Sequence, residues 1–153
     1  CPRPIRFVMD KDIFRWPILN FAFRSSKAIP IASAKSDPAL MELAFAEVAQ
    51  ALDAGDLVGI FPEGKITGDG NINPFRPGIT RILERNPVPV VPMALRGLWG
   101  STFSRIEGAA MKHPFRRGFF TRIELISGNV IAASQASPER LQAEVSRLRG
   151  DWR

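Results

Sequence analysis

Residues 57–64 read Leu-Val-Gly-Ile-Phe-Pro-Glu-Gly, an apolar run that ends in a proline, a carboxylate and a glycine. The run predicts a buried strand at residues 57–61, with Glu63 just beyond its carboxyl end. Ligands of α/β sheets bind at that edge, and Gly64 lets the backbone approach a ligand closely. We therefore expect Glu63 to contact a polar substrate.

Strand and helix signals alternate along the rest of the chain. The predicted strands cover residues 5–9, 28–31, 57–61, 88–95 and 121–126, and the predicted helices cover 37–55, 77–85 and a last helix from 137 onward. Residues 12–23 are predicted to be helical, either with a kink at Pro17 or as two short helices. The alternation predicts an α/β fold, with a mainly parallel central sheet flanked by helices, in a single domain of residues 1–153.

The helix at residues 37–55 has the clearest boundaries. Ser36 or Asp37 can cap its first turn, and Gly55 can end it in the left-handed region. The spacing of Met41, Phe45, Val48 and Leu52 puts these apolar residues on one face of the helix.

Two of the predicted strands carry a further signal. Pro30 favours an edge position for the strand at 28–31, because proline has no N–H for a central ladder. The strand at 121–126 alternates the charged residues Arg122 and Glu124 with the apolar residues Ile123 and Leu125.

The composition limits the class of protein. The 153 residues carry a net charge of +6 with one cysteine and one histidine. No apolar run approaches the roughly 18 residues of a membrane span. A single cysteine favours a reducing compartment, and one Cys with one His argues against a zinc site. The charge favours an anionic partner, namely phosphate, nucleic acid or an acidic membrane surface, or it simply supports solubility.

The polar loop after Glu63 has the residue types of a phosphate site. Backbone N–H groups, Lys65 and the Thr67 hydroxyl could hold a phosphate, while Glu63 accepts hydrogen bonds from substrate hydroxyls. Together these groups suit a polyol phosphate. The loop fits neither the Walker pattern nor the dinucleotide glycine pattern, and a plain strand-to-helix turn is the alternative.

Three segments in the same order resemble motifs of a known family. Residues 61–64 followed by Thr67 resemble the third motif of the glycerolipid acyltransferases, which include lysophosphatidic acid and glycerol-3-phosphate acyltransferases. Residues 88–93 resemble the fourth motif, and residues 28–31 take the place of the second. Within the family, residues 61–67 and 103–105 are most similar to the acyltransferase part of bifunctional lysophosphatidylethanolamine acyltransferase/acyl-acyl-carrier-protein synthetases.

The resemblance implies a glycerol-3-phosphate acyltransferase-like fold and an acyl-transfer reaction. An acyl group would pass from an acyl-carrier-protein or coenzyme A thioester to a hydroxyl of a lysophospholipid or glycerol phosphate, with no metal or cofactor. A His in a first motif, His-x4-Asp, would be the general base, and Glu63 would bind the glycerol moiety. The implied substrate-binding residues are Phe61, Pro62, Glu63, Gly64, Lys65 and Thr67, with Arg76 and Arg96 as further candidates beside the motif segments.

The chain departs from the family pattern in the residues that would do the proton chemistry. Its only histidine is His113, which follows the third motif and has Gly118 where the motif requires Asp. We expect His113 to be a surface-loop residue, and the chain to be truncated at its N-terminus and inactive alone. The alternative is a non-catalytic lipid- or phosphate-binding module with the same fold.

Two cations of the family motifs are also replaced. Ala32 and Ser33 follow the second motif where an Arg is frequent, and Ile66 replaces an Arg of the third motif. Lys65 would have to take over the second role. Both changes leave room for a head group larger than a phosphate monoester.

Residues 96–122 interleave six basic residues with five aromatic ones. Such a segment suits an anionic lipid surface, single-stranded nucleic acid or a loop with buried rings. With the family resemblance, we expect a peripheral protein, or part of a larger membrane protein, at the cytoplasmic face of the cell membrane. Nucleic acid is not an expected partner.

Overall fold

The computed structural model describes residues 3–12, 27–33, 35–100 and 122–151. Its elements are β1 (Ile5–Asp10), β2 (Ile29–Ile31), α1 (Pro38–Asp53), β3 (Leu57–Gly59), α2 (Gly78–Arg85), β4 (Met93–Arg96), β5 (Glu124–Ser127), a 3₁₀ turn (Ala133–Gln135) and α3 (Pro138–Arg149). The order confirms the α/β class. Most of the predicted helical segment at 12–23 lies outside the described residues.

The chain divides into two compact units. The first comprises Cys1–Pro62 and Arg81–Val88, and the second comprises Glu63–Thr80 and Pro89–Arg153. One of the boundaries along the chain therefore falls between Pro62 and Glu63. The prediction of a single domain stays a prediction.

The first unit contains a parallel three-stranded sheet in the order β2-β1-β3. Val8 of β1 pairs with Ile29 of β2, and Phe7 pairs with Gly59 of β3. α1 packs on β2 and β3, and Ile29 of β2 is fully buried against this helix. Among the described strands β2 lies at an edge of this sheet, the position that Pro30 predicts.

The boundaries of α1 are confirmed. The Asp37 carboxylate caps the first turn by accepting a hydrogen bond from the Leu40 N–H at 3.0 Å, and Gly55 has a φ of +81°. Of the four residues on the predicted face, Val48 is fully buried and the other three are half-buried. The fully buried residues of the helix are small, which lets it approach the sheet closely: Ala44, Val48, Ala49 and Ala51.

β3 is shorter and less buried than predicted. It ends at Gly59, its residues are half-buried, and the Phe61 side chain is 57% exposed. Among the described strands β3 pairs with β1 alone, so no described strand forms hydrogen bonds along its other edge. A Cβ on Gly59 would lie 2.7 Å from the ring of Phe7, so a glycine is required where the two strands meet.

The second unit contains an antiparallel pair, β4 with β5. The predicted strand at 88–95 is too long at its start, because Pro89 and Pro92 have no N–H to donate to a ladder. Val90 forms only an isolated bridge with Ile131, and the regular ladder begins at Met93. The ladder extends one residue further than predicted, since Arg96 pairs with Glu124.

The two faces of this ladder differ in burial. Ala94 is 3% exposed and pairs with Ile126, and α3 packs on this strand pair. Leu95 pairs with Leu125 on the other face, where Leu125 is 63% exposed. The apolar residues of the predicted alternation, Ile123 and Leu125, are therefore the exposed ones, at 41% and 63%.

None of the helices that the structure describes is both long enough and apolar enough to cross a membrane.

Candidate active site

Glu63 opens the second unit, and the loop that follows holds its carboxylate. The Asn73 backbone N–H donates to Glu63 Oε2 at 2.6 Å, and the Asn73 side-chain amide donates to the same oxygen at 3.0 Å. Glu63 is half-buried. Within the described ranges no residue donates to Oε1, so this oxygen can accept a hydrogen bond from a ligand.

Arg76 lies against the backbone at Gly64. Gly64 has a φ of +60°, and a Cβ added there would lie 2.8 Å from Arg76 Nε and 2.9 Å from Cζ. Arg76 and Lys65 are exposed, and neither forms an ion pair with a residue that the structure describes. A carboxylate and a guanidinium thus adjoin the same glycine, and the guanidinium is open to an anion.

Thr67 has partners inside its own loop. Its hydroxyl donates to Asp69 Oδ1 at 3.0 Å and accepts from the Gly70 N–H at 3.1 Å. Asp69 also accepts hydrogen bonds from the backbone N–H and the side-chain amide of Asn71, each at 2.9 Å. These donors, Asn71 foremost and then Thr67, lower the pKa of Asp69 to about 2. Thr67 therefore shapes the loop, and its role toward a ligand stays a prediction.

Two contacts attach this loop to the rest of the second unit. Gly70 is buried, with a φ of +82°, and a Cβ there would lie 2.6 Å from the ring of Trp99. Its carbonyl accepts a hydrogen bond from Arg149 Nη1 of α3 at 2.9 Å. The predicted polar loop is thus held in place by tertiary contacts, and its conformation depends on side chains distant in sequence.

Arg96 has a partner in α3. Its Nε donates to the Leu148 carbonyl at 2.8 Å, and its Nη2 donates to the same oxygen. This carbonyl belongs to the last turn of α3, so the guanidinium closes the helix end. The role of Arg96 toward a phosphate or head group stays a prediction.

The remaining predicted residues divide between the first unit and the undescribed ranges. Phe61 precedes Pro62 at the end of the first unit and stacks on Phe7 with ring centroids 6.1 Å apart. His113 lies outside the described residues. So do residues 101–121, which form most of the predicted segment of basic and aromatic residues at 96–122. Within the described ranges no group of three or more His, Cys, Asp or Glu side chains could hold a metal ion.

The sequence interpretation missed the residues that support Glu63 and its loop. These residues are Asn73, Trp99, Gln142 and Arg149. Asn73 follows Glu63 by ten residues in a loop without periodicity, so no local signal marks it. The other three act across the fold, and only tertiary structure brings them to the loop.

Comparison with known proteins identifies the family whose sequence pattern the chain matches. A family model described as Acyltransferase matches residues 1–96. The chain is 29% identical over 92 residues to the chloroplastic 1-acyl-sn-glycerol-3-phosphate acyltransferase BAT2 of Brassica napus, a match that covers 60% of this chain and 26% of the relative. It is 31% identical over 91 residues to a 1-acyl-sn-glycerol-3-phosphate acyltransferase of Limnanthes alba, covering 59% and 32% of the two chains.

A solved structure has a similar fold. The crystal structure of the 1-acyl-sn-glycerophosphate (LPA) acyltransferase PlsC from Thermotoga maritima matches with a TM-score of 0.61 and 18% identity, covering 93% of this chain and 54% of that one. At that identity the match supports the fold alone. The chain spans about a third or less of the curated relatives and about half of the solved chain.

Proposed function

Because this chain belongs to the acyltransferase family, we propose that it binds the acceptor during acyl transfer to a 1-acylglycerol-3-phosphate or a related lysophospholipid. The acceptor hydroxyl attacks the carbonyl carbon of an acyl thioester. An ester C–O bond forms, the C–S bond breaks, and the thiol of acyl carrier protein or coenzyme A leaves. A general base takes the hydroxyl proton, which the thiolate can recover.

The arrangement around Gly64 carries this proposal. Glu63 Oε1 has no donor among the described residues and can accept a hydrogen bond from a glycerol hydroxyl. The exposed Arg76 guanidinium packs on the same glycine, and a guanidinium binds phosphate through paired hydrogen bonds. Lys65, which follows Gly64 in the sequence, is a second exposed cation. One carboxylate with two cations suits an acceptor that has both hydroxyl and phosphate groups.

The proton transfer requires a base that residues 1–153 do not supply in the family pattern. They contain no His-x4-Asp sequence, because His113 is followed by Gly118 at the Asp position. We expect these residues alone to bind acceptor without transferring acyl groups. The same observation favours the second candidate, a non-catalytic lipid- or phosphate-binding module.

The acceptor class also suggests where the protein works. Lysophospholipids lie at membrane surfaces, and the net charge of +6 would attract the protein to anionic lipid. We place the protein at the cytoplasmic face of the cell membrane as part of this proposal. Binding to anionic vesicles, measured at increasing salt concentration, tests this attraction. An affinity that is weak and does not change with salt would contradict the proposed location.

The decisive experiment is an acyl-transfer assay of the full-length gene product. Lysophosphatidic acid and lysophosphatidylethanolamine are each supplied with acyl-acyl-carrier-protein and with acyl-coenzyme A, so that four reactions identify both substrates. We expect transfer in at least one pair. Lysophospholipid binding without transfer in any pair would favour the non-catalytic module, and absence of both would refute the proposal.

Glu63→Ala is the matching site variant. Loss of one charge-assisted hydrogen bond, worth about 2 kcal/mol, should lower kcat/KM for the acceptor by roughly thirtyfold while the KM for the thioester is unchanged. Glu47→Ala removes an exposed carboxylate from α1 and is the control. Equal effects of the two substitutions would sink the assignment of Glu63.

A further inference from the structure

We propose that Asn73 is a positioning residue that orients the Glu63 carboxylate toward the acceptor, an inference that rests on the proposed function. Asn73 touches neither acceptor nor thioester in this proposal. It acts through Glu63, and it determines which of the two carboxylate oxygens faces the ligand.

The geometry of the contact supports this role. Asn73 donates twice to one oxygen, from its backbone N–H at 2.6 Å and from its side chain at 3.0 Å. One donor would leave the carboxylate free to turn about that bond. Two donors on Oε2 restrict that rotation, and they leave Oε1 without a donor among the described residues. Because both bonds are made to a charged group, they are stronger than ordinary hydrogen bonds.

Asn73 can orient another residue because its own backbone is constrained. Pro74 follows it and restricts Asn73 to extended conformations. The Phe75 N–H donates to Gln142 Oε1 of α3 at 3.0 Å. The segment 73–75 is therefore attached to a helix on one side and to Glu63 on the other. The Glu63 carboxylate can be oriented toward a ligand only if the segment that holds it is itself fixed, because a loosely held carboxylate does not form directional hydrogen bonds.

The same loop offers a matched control. Asn71 also donates to a carboxylate through its backbone N–H and its side chain, but its acceptor is Asp69. Replacing Asn71 removes a more exposed hydrogen bond of the same type and leaves Glu63 untouched. A difference between the two asparagines therefore separates the orientation of Glu63 from general stability of the loop.

The test uses acyl transfer by the full-length protein with the acceptor varied. Asn73→Ala keeps the backbone donor and removes the side-chain donor, so we expect the acceptor KM to rise about tenfold with the thioester KM unchanged. Asn73→Asp keeps the shape but presents an acceptor oxygen to Glu63, so its loss should be larger. Asn71→Ala should stay within about twofold of the wild type, because Glu63 keeps its donors.

The double variant Glu63→Ala/Asn73→Ala shows whether Asn73 acts through Glu63. Its kcat/KM for the acceptor should equal that of Glu63→Ala alone, because a positioning residue has no effect once the side chain that it orients is removed. A further tenfold loss in the double variant would overturn the proposal, as would equal losses in Asn71→Ala and Asn73→Ala. Lack of transfer by the wild-type protein would refute the proposed function itself, which distinguishes the two failures.

Thermal unfolding of the same variants guards against a purely structural explanation. If the unfolding midpoints of Asn73→Ala and Asn71→Ala fall equally while only Asn73→Ala raises the acceptor KM, the positioning role holds. If the rise in KM disappears at temperatures well below both midpoints, the contact only stabilises the loop and the proposal fails.

Discussion

The Arg76 guanidinium lies in the space that a side chain at Gly64 would occupy, with Nε 2.8 Å from the position of a Cβ. Gly64 is therefore required for two reasons, since it also has a φ of +60°. The glycine of the third motif allows the cation to lie directly on the backbone beside Glu63. It places the guanidinium where the proposed acceptor phosphate would bind.

Gly64→Ala should therefore impair acceptor binding more than folding. The added methyl group must displace Arg76, and the left-handed backbone costs an L-residue about 1 kcal/mol. We expect kcat/KM for the acceptor to fall about tenfold, the loss of one charged contact. Gly68→Ala is the control, because a Cβ on Gly68 meets no atom within 4 Å and its φ is not positive. Similar kinetics for the two variants would contradict the role of this glycine.

The Asp69 loop should respond to acid in a defined window. Its carboxyl pKa falls from 3.8 to about 2, mainly because the Asn71 N–H donates to it. A lowered pKa in the folded state means that the ionised form contributes stability above the ordinary value, and that this contribution is lost as the pH falls through about 2. The difference in unfolding free energy between wild type and Asp69→Asn should be constant above about pH 4 and shrink toward pH 2.

This comparison has a clear contrary result. Parallel stability curves for wild type and Asp69→Asn between about pH 4 and pH 2 would mean that the carboxylate contributes nothing through these hydrogen bonds. Amide exchange at Asn71 gives a local readout, and its protection should decline in the same window.

Arg149 should stabilise the site from a distance. Its Nη1 donates to the buried carbonyl of Gly70, so Arg149→Ala leaves that oxygen without its donor. We expect a loss of about 1–2 kcal/mol in unfolding free energy and a higher acceptor KM because the loop loosens. Arg147→Ala is matched in type and helix, but Arg147 is exposed and pairs with Glu144 within α3. Equal destabilisation by the two variants would exclude a specific role for the Gly70 contact.

Features with local causes could be predicted from the sequence. Asp37 and Gly55 define both ends of α1 because a cap and a left-handed exit depend only on neighbouring residues. Glu63 could be found for the same reason, since it follows an apolar run and precedes a glycine. The family resemblance depends on the same contiguous residues.

Features with distant causes could not be predicted in this way. Alternation in β5 defines two faces of the strand. Only the packing of α3 decides that Ile126 lies on the more buried face and Leu125 on the exposed face. Arg149 and Gly70 are 79 residues apart, and no spacing rule connects them. The supports of the candidate site belong to this second class.

The sequence and the structure assign different roles to Arg96. Its place beside the fourth motif suggests a cation for phosphate, whereas its guanidinium donates twice to the Leu148 carbonyl at the end of α3. We expect the structural role to dominate, because a ligand would have to displace bonds that close a helix terminus. Arg96→Gln should cost about 2 kcal/mol of unfolding free energy and leave the acceptor KM within about twofold of the wild type. Arg76→Gln should instead raise the acceptor KM about tenfold, with little change in the unfolding free energy. Unfolding curves and acceptor kinetics of the two variants decide between the roles. An Arg96→Gln protein of unchanged stability and raised acceptor KM would restore Arg96 to the binding site.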